Sequence, residues 1–254
     1  MDLPGEYRTF DKLFDLLALR HGYSDVFNDF LNYSIQSISM SGTYQERAYF
    51  ASKYEEKQMD IFKKMFIEMI HITERNIKSD TGWYDFVGTY YEYIANTSKK
   101  QGFGQFFTPQ DIVDMMTMIT GGDDPGTGKR INDPACGSGR TLISFHAHHP
   151  GNFLFGEDLD YTCCLMTVWN MLISGGVGEV VHHNSLMPDS FYHGWRINEY
   201  LNPYFRLTVR SIEKEESYVW RHWEHVKNNQ PEVFAKEVEV RKAKNEQTIQ
   251  LTLF

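Results

Sequence analysis

The chain has 254 residues, of which 41% are hydrophobic and 15% aromatic, so a packed core is expected and a largely disordered chain is excluded. A net charge of −9 argues against the broad basic surface of a protein that grips nucleic acid unaided. The dense basic spots are limited to Lys99 and Lys100, then Arg241, Lys242 and Lys244. Any nucleic acid would therefore be held locally, or mainly by a partner.

The cellular compartment is predicted from the absence of membrane-spanning, secretory and disulfide-forming patterns in the sequence. It contains no run of about 18 apolar residues, so no membrane span is expected. Its start has no basic segment followed by an apolar one, so no secretory signal is expected either. The three cysteines, Cys136, Cys163 and Cys164, form no CxxC pair, and a cytoplasmic location is predicted.

The first 84 residues are predicted to form an N-terminal helical domain. Apolar side chains recur there at spacings of three and four residues, which places them on one face of each helix. Such stripes are typical of core packing, and we interpret them in this way. They comprise Phe10, Leu13, Phe14, Leu17 and Ala18; Val26, Phe27, Phe30, Leu31 and Ile35; and Ile61, Phe62, Met65, Phe66, Met69 and Ile70.

Two helices are predicted next, the first near residues 87 to 94. The second starts at Thr108, which can cap it, with Pro109 in its first turn and Asp111 placed as a capping-box acid. Its buried face is predicted to consist of Ile112, Met115, Met116 and Ile119.

The region from residue 85 to residue 200 is predicted to be a second, α/β domain. Strands are expected at residues 130–132, 153–156 and 180–182, with helices at 141–148 and 161–174 between them. This alternation is typical of a parallel sheet with helices on its faces. Residues 201–254 are predicted to form a C-terminal extension.

The most informative motif lies between the first predicted strand and its helix. It reads Asp133-Pro134-Ala135-Cys136-Gly137-Ser138-Gly139. A glycine turn at this place lets a ligand approach the backbone and the free N–H groups of the helix start. A dinucleotide fingerprint would need a third glycine where Leu142 stands, and a phosphate loop would need Gly-Lys-Ser/Thr. The acid before the turn favours a cationic ligand instead.

This motif resembles motif I of the adenine-specific DNA methyltransferases that serve as modification subunits of type I restriction systems. Phe106-Phe107-Thr108-Pro109 resembles the segment that precedes motif I in that family. Asp85-Phe86-Val87-Gly88 with Tyr91-Glu92 resembles its "D..G..YE" stretch, and residues 170–175 resemble its "MNLxLxG" helix end. The resemblance implies a class I methyltransferase sheet, Rossmann-like, that binds S-adenosylmethionine.

The resemblance also implies which residues bind this cofactor. An acid at the end of the second strand is placed on the ribose hydroxyls, a role that Asp158 fits best by spacing, with Glu157 as the alternative. Asn184 is expected to hydrogen-bond the adenine. The complete set of expected cofactor-binding residues is Phe107, Thr108, Pro109, Asp133, Pro134, Ala135, Cys136, Gly137, Gly139, Asp158, Leu159, Asn184, Ser185 and Leu186.

The catalytic loop of the family, Asn-Pro-Pro-Phe/Tyr, is not intact in this sequence. In the family this loop accepts the hydrogens of the adenine amine and stacks an aromatic ring on the flipped base. The nearest string is Asn202-Pro203-Tyr204-Phe205, and the residues before it, 195–201, do not have the pattern of a buried strand. Asn202, Pro203 and Tyr204 are thus either a degenerate catalytic loop or, as we favour, an unrelated turn.

Two functions follow as hypotheses. In the first, the chain methylates the exocyclic amine of adenine in DNA, with a specificity subunit that supplies the missing basic surface. In the second, it binds S-adenosylmethionine without transferring methyl, as a sensor or subunit of a DNA-processing complex.

The last five residues add a further hypothesis about partners. Gln250, Leu251, Leu253 and Phe254 resemble the QL(S/D)LF peptide by which bacterial proteins bind the replication sliding clamp. An extended peptide can bury such apolar anchors in a groove. The alternation of Ile249, Leu251 and Leu253 is equally compatible with a terminal edge strand.

Overall fold

The computed structural model describes residues 3–39, 44–77, 82–96, 107–122, 126–187, 190–199 and 207–229. Asn202, Pro203 and Tyr204, the basic residues near 99 and 241, and the terminal segment lie outside these ranges. Within them, no helix has both the length and the apolar character needed to cross a lipid bilayer.

The N-terminal region is helical, as its apolar periodicity predicts. The predicted stripe residues Phe10, Phe14, Phe30 and Phe62 are completely buried. Their rings contact one another edge to face or in parallel, which is the preferred geometry of aromatic pairs. The helices are α1 (Arg8–His21), α2 (Tyr23–Ser39), α3 (Tyr44–Lys53), α4 (Glu56–Asn76) and α5 (Phe86–Asn96).

A three-stranded parallel sheet follows, at the places where the alternating pattern predicts it. Its strands are β1 (Arg130–Asp133), β2 (Phe153–Asp158) and β3 (Val177–His182), and they pair in sequence order. Helix α6 (Gln110–Gly121) precedes β1, and the helices between the strands are α7 (Arg140–His148) and α8 (Tyr161–Ser174). Because the strands are parallel, their carboxyl ends meet at one edge of the sheet, where ligands of such sheets bind.

Two antiparallel strands extend the sheet beyond β3, where none was predicted. These are β4 (His193–Ile197) and β5 (Val209–Ile212), so the strand order is β1-β2-β3-β4-β5. The interpretation of residues 195–201 as unlike a buried strand was wrong for the part that forms β4. Arg196 hides the strand pattern, but it is buried because its guanidinium pairs with Glu179 at 3.1 Å.

Helix α9 (Tyr218–Asn229) covers part of the second face of the sheet. Its N-terminus is held by the buried carboxylate of Glu179, which accepts from the backbone N–H groups of Tyr218 and Val219 and from Ser217 Oγ. A carboxylate at this place is favourable because it satisfies free N–H groups and the positive end of the helix dipole.

The predicted orientation of α6 was wrong. Ile112, Met115, Met116 and Ile119 are between 43% and 72% exposed. The buried side is instead Val113, Asp114, Thr117 and Gly121. The helix also begins one residue after Pro109, which is its N-cap, and no side-chain hydrogen bond from Thr108 caps it.

A single buried apolar cluster runs from the N-terminal helices into the sheet. It joins Phe14 of α1 to Leu142 of α7, Trp169 of α8 and Ile197 of β4. Helix α8 lies between α2 and the strands and is almost wholly buried. Burial of one large apolar side chain contributes roughly 1.5–3 kcal/mol. Because α8 buries several of them between α2 and the strands, it holds the sheet against the N-terminal helices. The division of the chain at residue 84 stays a prediction.

Candidate functional site

The glycine turn connects the end of β1 to the start of α7 at the carboxyl edge of the sheet. Gly137 and Gly139 have φ angles of +56° and +83°, a left-handed conformation that side chains with a Cβ rarely adopt. The turn is attached to the neighbouring strand because Cys136 N donates to the carbonyl of Glu157 at 2.9 Å. The sequence therefore specifies a rigid turn beside the first two strand ends.

Both glycines are also closely approached by other residues. An ideal Cβ on Gly137 would lie 2.7 Å from Cδ1 of Phe107, so the Phe107 ring covers the turn. An ideal Cβ on Gly139 would lie 3.0 Å from Cγ2 of Thr167 on α8. The predicted residues Phe107 and Gly137 are therefore brought together, although thirty positions separate them.

Two half-buried carboxylates flank the turn. Asp133 ends β1, and its Oδ1 accepts from the N–H of Ala135 at 3.2 Å. Asp158 ends β2, and its Oδ2 accepts from the N–H of Gly137 at 2.9 Å. Partial burial raises the pKa of Asp158 above its ordinary value, although the N–H groups of Asp160 and Gly137 donate to it. The glycine turn is consequently flanked by two carboxylates, one at the end of β1 and one at the end of β2.

The two acids at the end of β2 have different surroundings. Glu157 is buried and points to the opposite face of the sheet, where it accepts from Asn132 at 2.7 Å and pairs with His183 at 2.6 Å. Asp158 points to the glycine turn. Asp158 therefore lies beside the glycine turn, whereas Glu157 faces the cavity that runs beneath α9.

The segment after β3 forms a turn near the same edge. Asn184 Oδ1 accepts from the N–H of Leu186 at 3.0 Å, and Asn184 N–H donates to Ser190 Oγ at 2.9 Å. The side chain of Leu186 is 67% exposed, and that of Leu159 after β2 is 60% exposed. Two exposed leucines at the carboxyl edge leave apolar surface available for a ligand or partner.

A cavity of about 990 Å³ joins residues of two predicted motifs. Its lining includes Pro134 and Ala135 of the glycine turn together with Ser185 and Leu186. It extends along the sheet face beneath α9 to Phe155 and Trp223. The structure thus places the turn after β1 and the turn after β3 on one concave surface.

The cysteines are packing residues, as predicted for Cys163 and Cys164. All three thiols are buried and free. Burial raises the pKa of the Cys136 thiol well above its ordinary value, and the Thr167 hydroxyl donates to its sulfur at 3.3 Å. A buried thiol with a raised pKa is not an activated nucleophile, and we interpret Cys136 as a packing residue of the turn. In the described ranges, no group of His, Cys, Asp and Glu has the arrangement of a metal site.

The sequence assigned no role to a buried ionic cluster behind the turn. Asp85 and Glu92 accept from the guanidinium of Arg140, at 2.7 and 2.9 Å, and Asn170 Nδ2 donates to Asp85 at 2.7 Å. The signal was present, because Asp85 and Glu92 are seven positions apart and so share one face of an otherwise apolar helical segment. The spacing of residues along the sequence could not connect Arg140, at the start of α7, to these two acids.

The fold and the turn together define the class of the protein. A glycine turn at the β1–α7 corner of a parallel sheet, with acids at the ends of the first two strands, is the arrangement of a class I methyltransferase sheet. The N-6 DNA Methylase family matches residues 83–246, more than half of the chain. The chain belongs to this family.

A solved structure gives a weaker likeness. It is the type I restriction-modification system methyltransferase subunit from Streptococcus thermophilus, with 19% sequence identity and a TM-score of 0.40. The match covers 72% of this chain and 40% of that subunit. The matched region thus spans about two fifths of the length of the solved protein.

Proposed function

We propose that the chain binds S-adenosylmethionine at the carboxyl edge of β1–β3 and acts as the donor-binding part of an adenine-N6 DNA methyltransferase. The observation that carries the proposal is the glycine turn with Asp133 on one side and Asp158 on the other. The residues of the turn fit this donor because the carboxylates of Asp133 and Asp158 flank it with negative charge. When bound, the donor would supply an electrophilic methyl group.

Each motif has a role in this proposal. Asp133 attracts the cationic end of the donor, and Asp158 accepts from its ribose hydroxyls. Asn184 binds the adenine, with Ser185, Leu186 and Leu159 around it. Phe107, Thr108 and Pro109 cover the turn formed by residues 134–139. The acceptor is adenine in DNA, held with a specificity subunit because the net charge of the chain is −9.

Calorimetry of the purified chain with S-adenosylhomocysteine and S-adenosylmethionine tests the proposal. Asp133→Ala is expected to weaken binding about 10- to 100-fold, since a hydrogen bond to a charged group contributes roughly 1.5–3 kcal/mol. Asp111→Ala removes the same charge from an exposed position on α6 and should leave the affinity unchanged. Absence of binding by the wild-type chain, or equal affinities of the wild type and Asp133→Ala, would contradict the proposal.

The pH dependence of binding gives an independent test of Asp158. Its raised pKa means that this carboxylate takes up a proton at a higher pH than an ordinary aspartate. A protonated carboxyl is a weaker acceptor for ribose hydroxyls, so affinity should fall as the pH is lowered through the pKa of this group, beginning at a higher pH than for an ordinary aspartate. Titrations of Asp158→Asn across the same range should be flatter. A wild-type affinity that does not change with pH would remove Asp158 from the site.

A second candidate function is donor binding without methyl transfer. It is favoured by the position of β1, which lies at the edge of the sheet formed by the described residues, with no strand on its outer side. Incubation of the chain with unmethylated DNA and tritiated donor, with and without a specificity subunit, distinguishes the two. Incorporation of label establishes transfer, whereas binding without incorporation in either mixture favours the silent subunit. Binding of the sliding clamp through residues 250–254 stays a prediction.

A further inference from the structure

The buried guanidinium of Arg140 links the N-terminal helices to the glycine turn. Arg140 is the first residue of α7 and only 6% exposed. Its Nε donates to Asp85 Oδ2 at 2.7 Å and its Nη2 donates to Glu92 Oε2 at 2.9 Å. The two acids come from the start and the second turn of α5, so two elements distant in sequence share one cation.

The same cluster holds the backbone of the segment that covers the turn. Arg140 Nη1 donates to the carbonyl of Thr108 at 3.1 Å, and the N–H of Phe107 donates to Glu92 Oε1 at 2.8 Å. The guanidinium carbon also lies 5.5 Å from the centre of the Phe107 ring, a cation–π distance. Phe107 and Thr108 are therefore bound to Glu92 and Arg140 through their backbone groups, and Phe107 also through one face of its ring.

These attachments determine where the Phe107 ring lies. The ring contacts Tyr91 of α5 with centroids 5.5 Å apart, and it fills the space that a Cβ on Gly137 would need. Because the ring already contacts Gly137, a donor bound at the turn would lie beside the ring, and the segment would form one wall of its site. The bonds to Glu92 and to Arg140 oppose any movement of this wall.

We propose that Arg140 and Glu92 are positioning residues that hold Phe107 and Thr108 against the glycine turn and thereby set the rate at which the methyl donor dissociates. The inference rests on the proposed function and adds a means of retention to it. Glu92 acts through two oxygens, one for Phe107 N–H and one for the guanidinium. Neither Arg140 nor Glu92 needs to touch the donor.

Glu92→Gln is the informative substitution because it preserves size and removes one acceptor. Phe107 N–H and Arg140 Nη2 donate to different oxygens of Glu92, so the NH2 group of glutamine would replace one of these acceptors and leave one donor unsatisfied. The rate of S-adenosylhomocysteine dissociation, followed by surface plasmon resonance on the immobilised full chain, is expected to rise about tenfold. The association rate should change less than twofold, because opening the segment does not hinder entry.

Asp29→Asn is the matched control. Asp29 is a buried carboxylate of α2 that accepts from the Tyr54 hydroxyl at 2.6 Å and pairs with Lys53 at 2.7 Å. The substitution should lower the midpoint of thermal unfolding and leave the dissociation rate unchanged. If it accelerates dissociation as much as Glu92→Gln does, general loosening explains both effects and the inference is overturned.

Hydrogen exchange of the Phe107 amide in the ligand-free chain is the second readout. It should be faster in Glu92→Gln than in the wild type and unchanged in Asp29→Asn. A faster-exchanging Phe107 amide with a wild-type dissociation rate would show that the segment does not retain the donor, and would overturn the inference. If the wild-type chain itself fails to bind S-adenosylhomocysteine, the proposed function is overturned. This outcome differs from failure of the inference, because it is seen without any substitution.

Discussion

Asp85→Ala is expected to destabilise the folded chain by about 3–5 kcal/mol, the range measured when one partner of a buried ion pair is removed. The carboxylate of Asp85 is completely buried and accepts from Ser138 Oγ at 2.6 Å, Arg140 Nε at 2.7 Å and Asn170 Nδ2 at 2.7 Å. It also accepts from the N–H of Gly88. Alanine would leave four donors without an acceptor, one of them on a buried cation.

Urea denaturation followed by circular dichroism measures this effect. A whole domain is typically stable by about 5–15 kcal/mol, so the variant should unfold at a much lower urea concentration or fail to fold. Asp60→Ala removes an exposed carboxylate paired with Lys63 on α4, and its midpoint should equal that of the wild type. If Asp85→Ala unfolds at the same urea concentration as the wild type, the buried ionic cluster around Asp85 contributes little to stability.

The elements that local patterns specify were predicted well. The apolar stripes of α1, α2 and α4 are buried, except for Leu13, Ile61, Phe66 and Ile70, which are partly buried against the core. Strands β1–β3 alternate with α7 and α8 as expected. The turn at residues 133–139 could be located because its glycines stand between a strand and a helix. Here the local sequence and the tertiary environment impose the same structure.

Helix α6 shows where periodicity is insufficient. Its methionines and isoleucines have helical spacing, but the structure buries Asp114 and Thr117 instead. Asp114 accepts from Trp83 Nε1 at 2.8 Å and from Ser144 Oγ at 2.6 Å, and these partners compensate its burial. A sequence pattern identifies an apolar face but does not establish that another element covers it.

Buried ion pairs account for the other differences. β4 was missed because Arg196 interrupts its apolar pattern, and its partner Glu179 is seventeen positions earlier. Arg140 was missed for the same reason, because Asp85 and Glu92 are 55 and 48 positions away. A charged residue is expected to be exposed unless a partner of opposite charge is known. Partners this distant in sequence can be identified only in the folded structure.

Gly137→Ala is expected to weaken binding of S-adenosylhomocysteine by about tenfold or more, with a modest loss of stability. An L-residue in the left-handed conformation costs roughly 1–2 kcal/mol, and Gly137 has φ +56°. The added methyl group would also lie 2.7 Å from the Phe107 ring, closer than van der Waals contact permits. The ring must therefore move away from the turn, and the covered surface on which we place the donor is lost.

Gly175→Ala separates the cost of the left-handed backbone from the effect of the contact with the Phe107 ring. Gly175 caps the end of α8 with φ +76°, and an added Cβ would meet no atom of the described residues within 4 Å. Both variants should lose stability on heating because both place alanine in the same backbone region, and Gly137→Ala should lose more because the Phe107 ring must also move. Calorimetric titration should then find weakened binding only for Gly137→Ala. Equal affinities in the two variants would mean that the fit between Phe107 and the glycine turn is unimportant for the donor, and that backbone strain alone explains why glycine stands there.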